Sequence, residues 1–229
     1  MAAQEKLLIE AAAAWGFVDS PPKSLLDIGC GLGGGAIYWA STYECPVTAV
    51  TNVADHVPVI EEMSSRAGTS SRIRIVNADM HDFSSVEKYS TAVAIESSCY
   101  MQRDILFEKV AELLEPGGCF GIEDSFTIDD DWSVLFDRYW KTRIGTLEEY
   151  KEAASKFGFT LEGNVDITAD VTEFWAQSMA WNLIKLEEMT ASGVPSVKEY
   201  ESLRWHGECL RAWRDRTYET RLLRFRLNP

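Results

Sequence analysis

The 229-residue chain lacks the residue patterns that several classes of protein require. Its five cysteines are an odd number without CxxC spacing, which argues against a zinc or redox motif and against a secreted disulfide framework. No run of about 20 apolar residues could span a membrane, and residues 1–15 lack the basic flank and apolar centre of a signal peptide. We therefore expect a cytoplasmic protein that does not act at a membrane.

Positive charge is also scarce. The chain carries 22 Lys and Arg against 36 Asp and Glu, a formal net charge of −14. Proteins that bind nucleic acid usually show the opposite balance, because their affinity for phosphate comes largely from Lys and Arg. The composition therefore argues against a nucleic-acid partner, and only the segment 197–229 reverses the balance, with eight basic and five acidic residues.

Short apolar runs alternate with helical spacing through the first half of the chain. This alternation predicts an α/β fold with a mostly parallel sheet and helices on both faces. The predicted strands there cover 24–28, 46–51, 72–77, 91–96 and 119–123, between helices over 5–15, from 34 on, 55–66 and 104–114. In the second half, the pattern predicts helices over 131–142, 146–156, 171–190 and 197–214, a strand over 159–166 and an antiparallel outer strand over 218–227.

A glycine-rich loop follows the first predicted strand and precedes a helix. Gly29, Gly31 and Gly34 satisfy GxGxxG, the pattern of dinucleotide-binding loops, in which backbone N–H groups at a helix N-terminus contact a phosphate. Asp27, two residues earlier, would repel a pyrophosphate but suits a ligand that carries an ammonium group. The loop alone leaves two alternatives, a dinucleotide and another adenosine-bearing cofactor.

Further landmarks distinguish these alternatives. Asp27, Gly29, Gly31 and Gly33 read DxGxGxG, and they are followed by Ala78-Asp79-Met80, by Glu96 and by Glu115-Pro116-Gly117-Gly118. In this combination the chain resembles the class I methyltransferases that depend on S-adenosylmethionine (SAM), over nearly its whole length. The resemblance implies a Rossmann-like, seven-stranded, mostly parallel sheet with a small helical acceptor cap. It also implies one domain over 1–229, in which 1–125 bind SAM and 126–229 supply the cap segments and the last two strands.

The resemblance assigns the two ends of SAM to particular residues. Gly29, Gly31 and Gly33 would line the methionine part, and Asp27 would hold its α-ammonium group directly or through water. The carboxylate of Asp79 would accept a hydrogen bond from the adenine N6 amine, with the Met80 backbone beside the ring. A simple turn-capping role for Asp79 is the alternative.

The ribose end departs from the usual pattern, because no carboxylate ends the second strand. Val50-Thr51-Asn52 stands there, which resembles a subgroup that includes cyclopropane-fatty-acid synthases, tocopherol methyltransferases and prenyl-diphosphate C-methyltransferases. These carry Val-Thr-x-Ser or a similar run, with a Gln five residues after the Thr. Thr51, Asn52 and His56 are therefore our ribose candidates. His56 replaces the Gln, so a solvated histidine at the start of a helix is the alternative.

Candidates for the methyl-transfer site lie just beyond strands four and five, where open α/β sheets bind ligands. Glu96 is the first choice for a carboxylate that faces this site, with cofactor positioning as its other role. Tyr100 could orient the acceptor. Asp124 is the third candidate, and strand alternation allows only one of Glu123 and Asp124 to point into the cleft. The lone histidines His81 and His206 are weaker candidates for a base.

Aromatic residues of the predicted cap suggest the acceptor. An aromatic, acidic pocket would suit a planar, terpenoid or amine molecule, although core packing is the alternative for each tryptophan. The residues concerned are Trp132, Tyr139, Trp140, Phe174, Trp175, Met179 and Trp181. The arginines near the C-terminus could bind a diphosphate, but Arg224 and Arg226 are expected to face water on an outer strand.

The sequence therefore predicts an enzyme that transfers a methyl group from SAM to carbon, nitrogen or oxygen of a small organic acceptor in specialised metabolism, as a monomer or homodimer without a bound metal. One alternative is a SAM-binding cyclase or regulator that transfers no methyl group. An NAD-dependent oxidoreductase is a third hypothesis, against which the missing acid after strand two and the lack of a Tyr-x-x-x-Lys pair both count.

Overall fold

The computed structural model describes residues 3–128, 133–193 and 197–229, with the backbone alone at 3 and 133–135. Its strands are β1 (Leu25–Ile28), β2 (Val47–Thr51), β3 (Ile73–Asn77), β4 (Tyr89–Ile95), β5 (Leu114–Thr127), β6 (Phe159–Asp166) and β7 (Tyr218–Leu227). They form one seven-stranded sheet in the order β3-β2-β1-β4-β5-β7-β6. The prediction of a mostly parallel α/β sheet is confirmed, since only β7 runs antiparallel to its neighbours.

The helices follow the predicted order closely. They are α1 (Ala3–Ala14), α2 (Gly34–Tyr43), α3 (His56–Arg66), α4 (Arg103–Leu113), α5 (Ser133–Trp140), α6 (Leu147–Lys156), α7 (Thr168–Ala191) and α8 (Val197–Arg214). The predicted cap helix over 131–142 began with residues 131 and 132. These two residues, the second of which is Trp132, lie outside the described residues. No helix of the described ranges combines the length and the apolarity that crossing a membrane requires.

The sheet is apolar on both faces, which explains the short continuous apolar runs of its strands. Leu26 and Ile28 of β1 face a core formed with α4 and α6, around Phe107 and Tyr150. Leu25 faces the opposite core, formed with α1 and α2 around Trp15 and Trp39. Strand alternation therefore turns Asp27 towards the second core, where it is almost fully buried.

The order in which strands are added to the sheet changes sides at β1. The β1–β3 unit extends to one side of β1, whereas β4 and β5 lie on the other. Loops at the carboxyl ends of β1 and β4 therefore separate and leave a crevice, which is where open α/β sheets bind ligands. This topology positions the glycine loop beside the loop that carries Glu96.

The last strand corrects one expectation. β7 is antiparallel, as predicted, but it lies between β5 and β6 and is not an outer strand. Arg224 and Arg226 consequently do not project from a solvated edge; both pair with Glu162 of β6, at 3.1 and 3.2 Å. The sequence could not show this position, because β6 is added to the sheet through a pairing of segments distant in the chain.

Candidate active site

The glycine loop connects β1 to α2 in a conformation that most residues avoid. Gly29, Gly31 and Gly33 have φ angles of 68, 53 and 82°, in the left-handed region where a side chain is strained. A Cβ at Gly29 would lie 2.6 Å from Ser97 Cβ, and one at Gly33 would lie 2.8 Å from Ile60 Cγ2, whereas Gly31 has open space beside it. The loop is therefore packed closely on β4 and α3 and is open at Gly31.

A cleft of about 480 Å³ lies at the carboxyl ends of β1, β2, β3 and β4. Its volume lies within the range of small-molecule and cofactor sites. The structure brings nine of the predicted site residues to its walls, namely Gly29, Gly31, Thr51, Asn52, His56, Asp79, Met80, Glu96 and Tyr100. Asp27, Gly33 and Asp124 do not line it. The walls also include His81, a weaker candidate of the sequence analysis, and five residues that the sequence analysis did not assign to the site, namely Val50, Val53, Ala78, Ser97 and Met101.

The ribose candidates meet at the start of α3. His56 is the first residue of this helix, and its Nδ1 lies 3.2 Å from the Thr51 hydroxyl. The same hydroxyl oxygen accepts the backbone N–H of Val53 at 3.3 Å. The hydroxyl and the ring nitrogen thus share one hydrogen bond, in which the hydroxyl can donate or accept. This pair presents neutral polar atoms to the cleft in the place of a carboxylate.

Asp79 lies in the loop after β3 and is fixed by the residue two positions later. Its Oδ1 accepts the backbone N–H of His81 at 2.9 Å and the ring Nδ1–H at 2.6 Å. These two bonds hold the pKa of Asp79 below its ordinary value, so the carboxylate stays ionised near neutral pH. Asp79 therefore caps its turn, which was the alternative role, and it also lines the cleft.

Asp27 is buried beneath the glycine loop, against α2. Burial raises the pKa of its carboxyl group to about 7, because an apolar environment disfavours the charged form. A Cβ at Gly35 would lie 3.3 Å from Asp27 Oδ2, so the carboxyl group reaches the first turn of α2. The loop therefore separates Asp27 from the cleft. From this position Asp27 can interact with a ligand in the cleft through water or through its electrostatic field.

Glu96 follows β4 in a strained backbone conformation. Its φ angle is 47°, a region that costs a non-glycine residue about 1–2 kcal/mol. Its backbone N–H donates to Glu123 O at 2.8 Å, which fixes the end of β4 to β5. Burial, followed by the nearby charge of Asp124, raises the pKa of the Glu96 carboxyl. This side chain lines the cleft and stays accessible to solvent, so it is the carboxyl group that an acceptor bound there could reach.

Asp124 points away from the cleft into a buried polar network. Its Oδ2 accepts the Ser98 hydroxyl at 2.6 Å and the Cys99 N–H at 2.9 Å. Ser98 Oγ in turn lies 2.9 Å from the Tyr150 hydroxyl. Asp124 thus lies beneath the loop 97–100 and holds it in place, and this geometry favours a positioning role over the catalytic role that the sequence suggested.

Glu123 points to the opposite face of the sheet, as alternation requires. It is fully buried, and its Oε2 has no hydrogen-bond partner among the described residues. Burial raises the pKa of Glu123 well above its ordinary value, and the charges of Glu96 and Asp124 raise it further. This environment favours the neutral form of Glu123.

The helices α5, α7 and α8, here called the helical cap, pack together at the same edge of the sheet, beyond β5, β7 and β6. Trp175 of α7 packs on Trp213 of α8 with ring centroids 4.9 Å apart, and Tyr139 stacks on Trp205 at 5.0 Å. Phe174 and Trp181 are instead more than half exposed. The backbone N–H of Arg143 donates to Cys99 O at 2.6 Å. Through this bond the cap contacts the loop that carries Tyr100.

The two histidines that the sequence ranked low have different surroundings. His81 lies in the cleft, paired with Asp79. His206 lies in the cap, where its Nδ1 contacts Ser178 and Asn182 of α7 and its ring is 6.4 Å from the stacked ring of Trp140. Burial lowers the pKa of His206. The sequence carried one signal for the contact between Asp79 and His81, namely their spacing. An Asp side chain often accepts a hydrogen bond from the residue two positions later in a turn.

Comparison with known proteins identifies the family. The family model described as mycolic acid cyclopropane synthetase matches residues 18–221, most of the chain. The chain belongs to this family. Its membership confirms the resemblance to class I SAM-dependent methyltransferases, and with it the enzyme class and SAM as the cofactor.

Two relatives of known activity are similar over part of the chain. One is a sterol 4-C-methyltransferase of Caenorhabditis elegans, 27% identical over 150 residues, which are 65% of this chain and 43% of the relative. The other is a fatty-acid O-methyltransferase of Mycolicibacterium smegmatis, 33% identical over 110 residues, 47% of this chain and 39% of the relative. The chain thus matches less than half of the length of either relative.

Solved structures of other proteins share the fold over nearly the whole chain. A mycolic acid cyclopropane synthase, solved with S-adenosylhomocysteine (SAH) and CTAB, superposes with a TM-score of 0.82 at 17% identity, over 99% of this chain and 86% of the other. A [4+2]-cyclase superposes with a TM-score of 0.75 at 20% identity, over 98% of this chain and 81% of the other. At these identities the similarity concerns the fold alone.

Proposed function

We propose that this protein methylates carbon, nitrogen or oxygen of a small organic acceptor in specialised metabolism in the cytoplasm. The observation that carries the proposal is the single cleft in which Gly29, Gly31, Thr51, Asp79 and Glu96 meet. Its walls offer the backbone of the glycine loop, neutral hydrogen-bonding groups, one ionised carboxylate and one carboxyl group of raised pKa. This combination suits an adenosine-bearing cofactor at one end and an acceptor at the other.

In this proposal each wall of the cleft holds one part of SAM, which supplies the activated methyl group. The backbone at Gly29 and Gly31 approaches the methionine part, and the negative charge of Asp27 favours its ammonium group. Thr51, Asn52 and His56 bind the ribose hydroxyls through neutral hydrogen bonds. Asp79 accepts from the adenine amine, with the Met80 backbone beside the ring. Gly33 acts indirectly, by letting the loop pack on Ile60 of α3.

Glu96 and Tyr100 are the proposed acceptor-side residues. Transfer from a sulfonium needs mainly the correct approach of two reactants, and Tyr100, half exposed at the rim of the cleft, is placed to orient the acceptor. An acceptor that must lose a proton needs a base, and Glu96 is a carboxyl group of the cleft wall whose pKa is raised above its ordinary value. Asp124 contributes by fixing the loop between them.

Calorimetric titration with SAM, SAH and NAD, side by side, is the first test. We expect micromolar affinity for SAM and SAH and no binding of NAD. Binding of NAD alone would refute the proposal. The native protein is then incubated with SAM and acceptors of different chemistry, such as a fatty acid, a sterol, a phenol, a secondary amine and a prenyl diphosphate, and SAH formation is measured.

Two results of that screen separate the alternatives. SAH formation that depends on one acceptor class, and that Glu96→Gln reduces at least about tenfold for an acceptor that loses a proton, supports a methyltransferase. Tight binding of SAM without acceptor-dependent turnover supports a SAM-binding cyclase or regulator. The fold shared with a [4+2]-cyclase makes this second result important to test.

A further inference from the structure

The Asp79–His81 pair is more rigid than a surface carboxylate usually is. Both hydrogen bonds from His81, the backbone N–H at 2.9 Å and the ring Nδ1–H at 2.6 Å, reach the same oxygen, Oδ1. Because an ionised carboxylate can only accept, the ring must donate from Nδ1. Two donors from one residue fix the rotation of the carboxylate and leave Oδ2 without a hydrogen bond from the described residues.

The loop beneath the pair is anchored to the core. The carbonyl oxygen of Asp79 accepts the N–H groups of Asp82 and Phe83, at 3.1 and 3.0 Å. The side chains of Met80 and Phe83 are buried, each with at most 5% of its surface exposed. Asp79 and His81 both line the cleft. Oδ2 is therefore held at a defined point of the cleft wall.

We propose that His81 is a positioning residue that makes the cleft selective for a 6-aminopurine. It fixes Asp79 so that Oδ2 accepts the N6–H of adenine and cannot turn to another donor of the base. This inference rests on the proposed function, in which Asp79 faces the adenine. It assigns a role to a histidine that neither the sequence pattern nor the family membership assigns.

The chemistry of the base makes the proposal specific. A 6-oxopurine presents a carbonyl oxygen in place of the amine and an N–H at N1. A fixed Oδ2 would meet that carbonyl oxygen, which is repulsive for two acceptors. A carboxylate free to rotate could turn to the N1–H and recover a hydrogen bond. Loss of His81 should therefore reduce discrimination between the two bases more than it reduces affinity for adenine.

His56 provides a matched control in the same cleft. It also uses Nδ1 for a hydrogen bond to a neighbouring side chain, but its partner is the neutral hydroxyl of Thr51. Replacing His56 removes a histidine from the cleft without releasing a carboxylate. Such a change should alter the affinity for both bases to the same extent.

The test is calorimetric titration of SAH and S-inosylhomocysteine into the native protein and four variants, with the ratio of the two dissociation constants as the readout. We expect the native protein to prefer SAH by about tenfold or more, the range of a hydrogen bond to a charged group. In His81→Leu the preference should fall at least about fivefold. His81→Asn, whose amide donates from nearly the position of Nδ1, should retain the preference within about twofold. His56→Leu should weaken both ligands alike.

The fourth variant, Asp79→Asn, separates the two levels of the argument. If Asp79→Asn keeps the native affinity and preference, adenine does not lie at Asp79 and the proposed placement of the cofactor is wrong. If Asp79→Asn loses the preference while His81→Leu keeps it, only the role of His81 is wrong. If His81→Leu and His81→Asn both lose the preference, the role of His81 is also wrong, because general damage to the loop would then explain both losses. The thermal midpoint of each variant is measured beforehand.

Discussion

The cleft and the helical cap lie at the same edge of the sheet but are held together by different interactions. In the cleft, hydrogen bonds join residues that are close in sequence, as in Thr51–His56 and Asp79–His81. In the cap, aromatic rings from α5, α7 and α8 pack across long separations in the chain. The cleft is thus determined by local backbone geometry, whereas the cap depends on the burial of large apolar side chains.

This difference teaches where each region is sensitive to substitution. The polar residues Asp79 and His81 of the cleft are partly exposed and contribute little to the core, so their loss should affect ligand binding more than stability. The central tryptophans of the cap are buried and should affect stability first. Asp27 is an exception in the first half of the chain, because it is a buried carboxyl group whose ionisation opposes folding and whose proposed role is in binding.

The largest effect is expected at Trp213. This side chain is 1% exposed, packs against Trp175 and donates its indole N–H to Thr220 at 2.9 Å. Trp213→Ala should lower the free energy of unfolding by about 3–5 kcal/mol, measured by urea denaturation. Trp181→Ala, at an exposed position of α7, is the control and should change it by less than about 0.5 kcal/mol. If Trp213→Ala abolished SAM binding by the folded protein, the two regions would not be independent.

The second-largest effect is expected for Asp27→Asn, which should change the dependence of stability on pH. The folded-state pKa of about 7 lies above the ordinary value of 3.8, so ionisation of Asp27 opposes folding. This destabilisation is absent below about pH 4, grows as the pH rises and is complete above about pH 7. The variant should therefore be more stable than the native protein by about 2–4 kcal/mol at pH 8 and nearly equal to it at pH 4.

The same substitution should weaken SAM binding at pH 8, because the charge that favours the ammonium group is lost. Denaturation at several pH values and calorimetry at pH 8 measure the two effects. A stability difference that did not change between pH 4 and pH 8 would contradict the assignment of the raised pKa to Asp27.

Asp79→Ala should weaken SAM binding by about 1–3 kcal/mol, the range for loss of a hydrogen bond to a charged group. The carboxylate is exposed to the cleft, so the free energy of unfolding should change much less. Asp82→Ala, at an exposed residue of the same loop outside the cleft lining, is the control. Equal losses of affinity in both variants would indicate general disturbance of the loop.

The smallest effect concerns the strained backbone at Glu96. Glu96→Gln removes the charge and keeps the strained φ angle, whereas Glu96→Gly removes both. Glycine adopts this conformation freely, so Glu96→Gly should be more stable than Glu96→Gln by about 1 kcal/mol in urea denaturation. A glycine variant less stable than the glutamine variant would show that the side chain of residue 96 contributes packing that outweighs the strain.

Much of the cofactor half could be predicted because its signals are local. The DxGxGxG loop, the short apolar strands and the acid after β3 each lie within a few consecutive residues, and family membership and fold bear out the enzyme class and the sheet. Individual site roles stay predictions. Gly33 was grouped with the other glycines by its spacing, yet it packs on Ile60, a contact that no local pattern could indicate.

Alternation along β5 predicted that only one of Glu123 and Asp124 would face the cleft, but neither lines it. Ser98 and Cys99, in the loop after β4, donate hydrogen bonds to Asp124 and hold its side chain beneath that loop. In the cap, Phe174 and Trp181 share the aromatic composition of Trp175 but not its burial. Composition could not separate them, because their exposure depends on how α7 packs against α8.

By itself the sequence determined the α/β class, the order of its elements, the glycine loop and most of the predicted residues that line the cleft. These depend on periodicity and backbone preferences, which act over a few residues. Only the tertiary structure decided that β7 lies inside the sheet, that Arg224 and Arg226 pair with Glu162 and that His81 fixes Asp79 in the cleft. Those features depend on which distant segments are brought together and on the rotation of individual side chains, and neither is encoded in a local pattern.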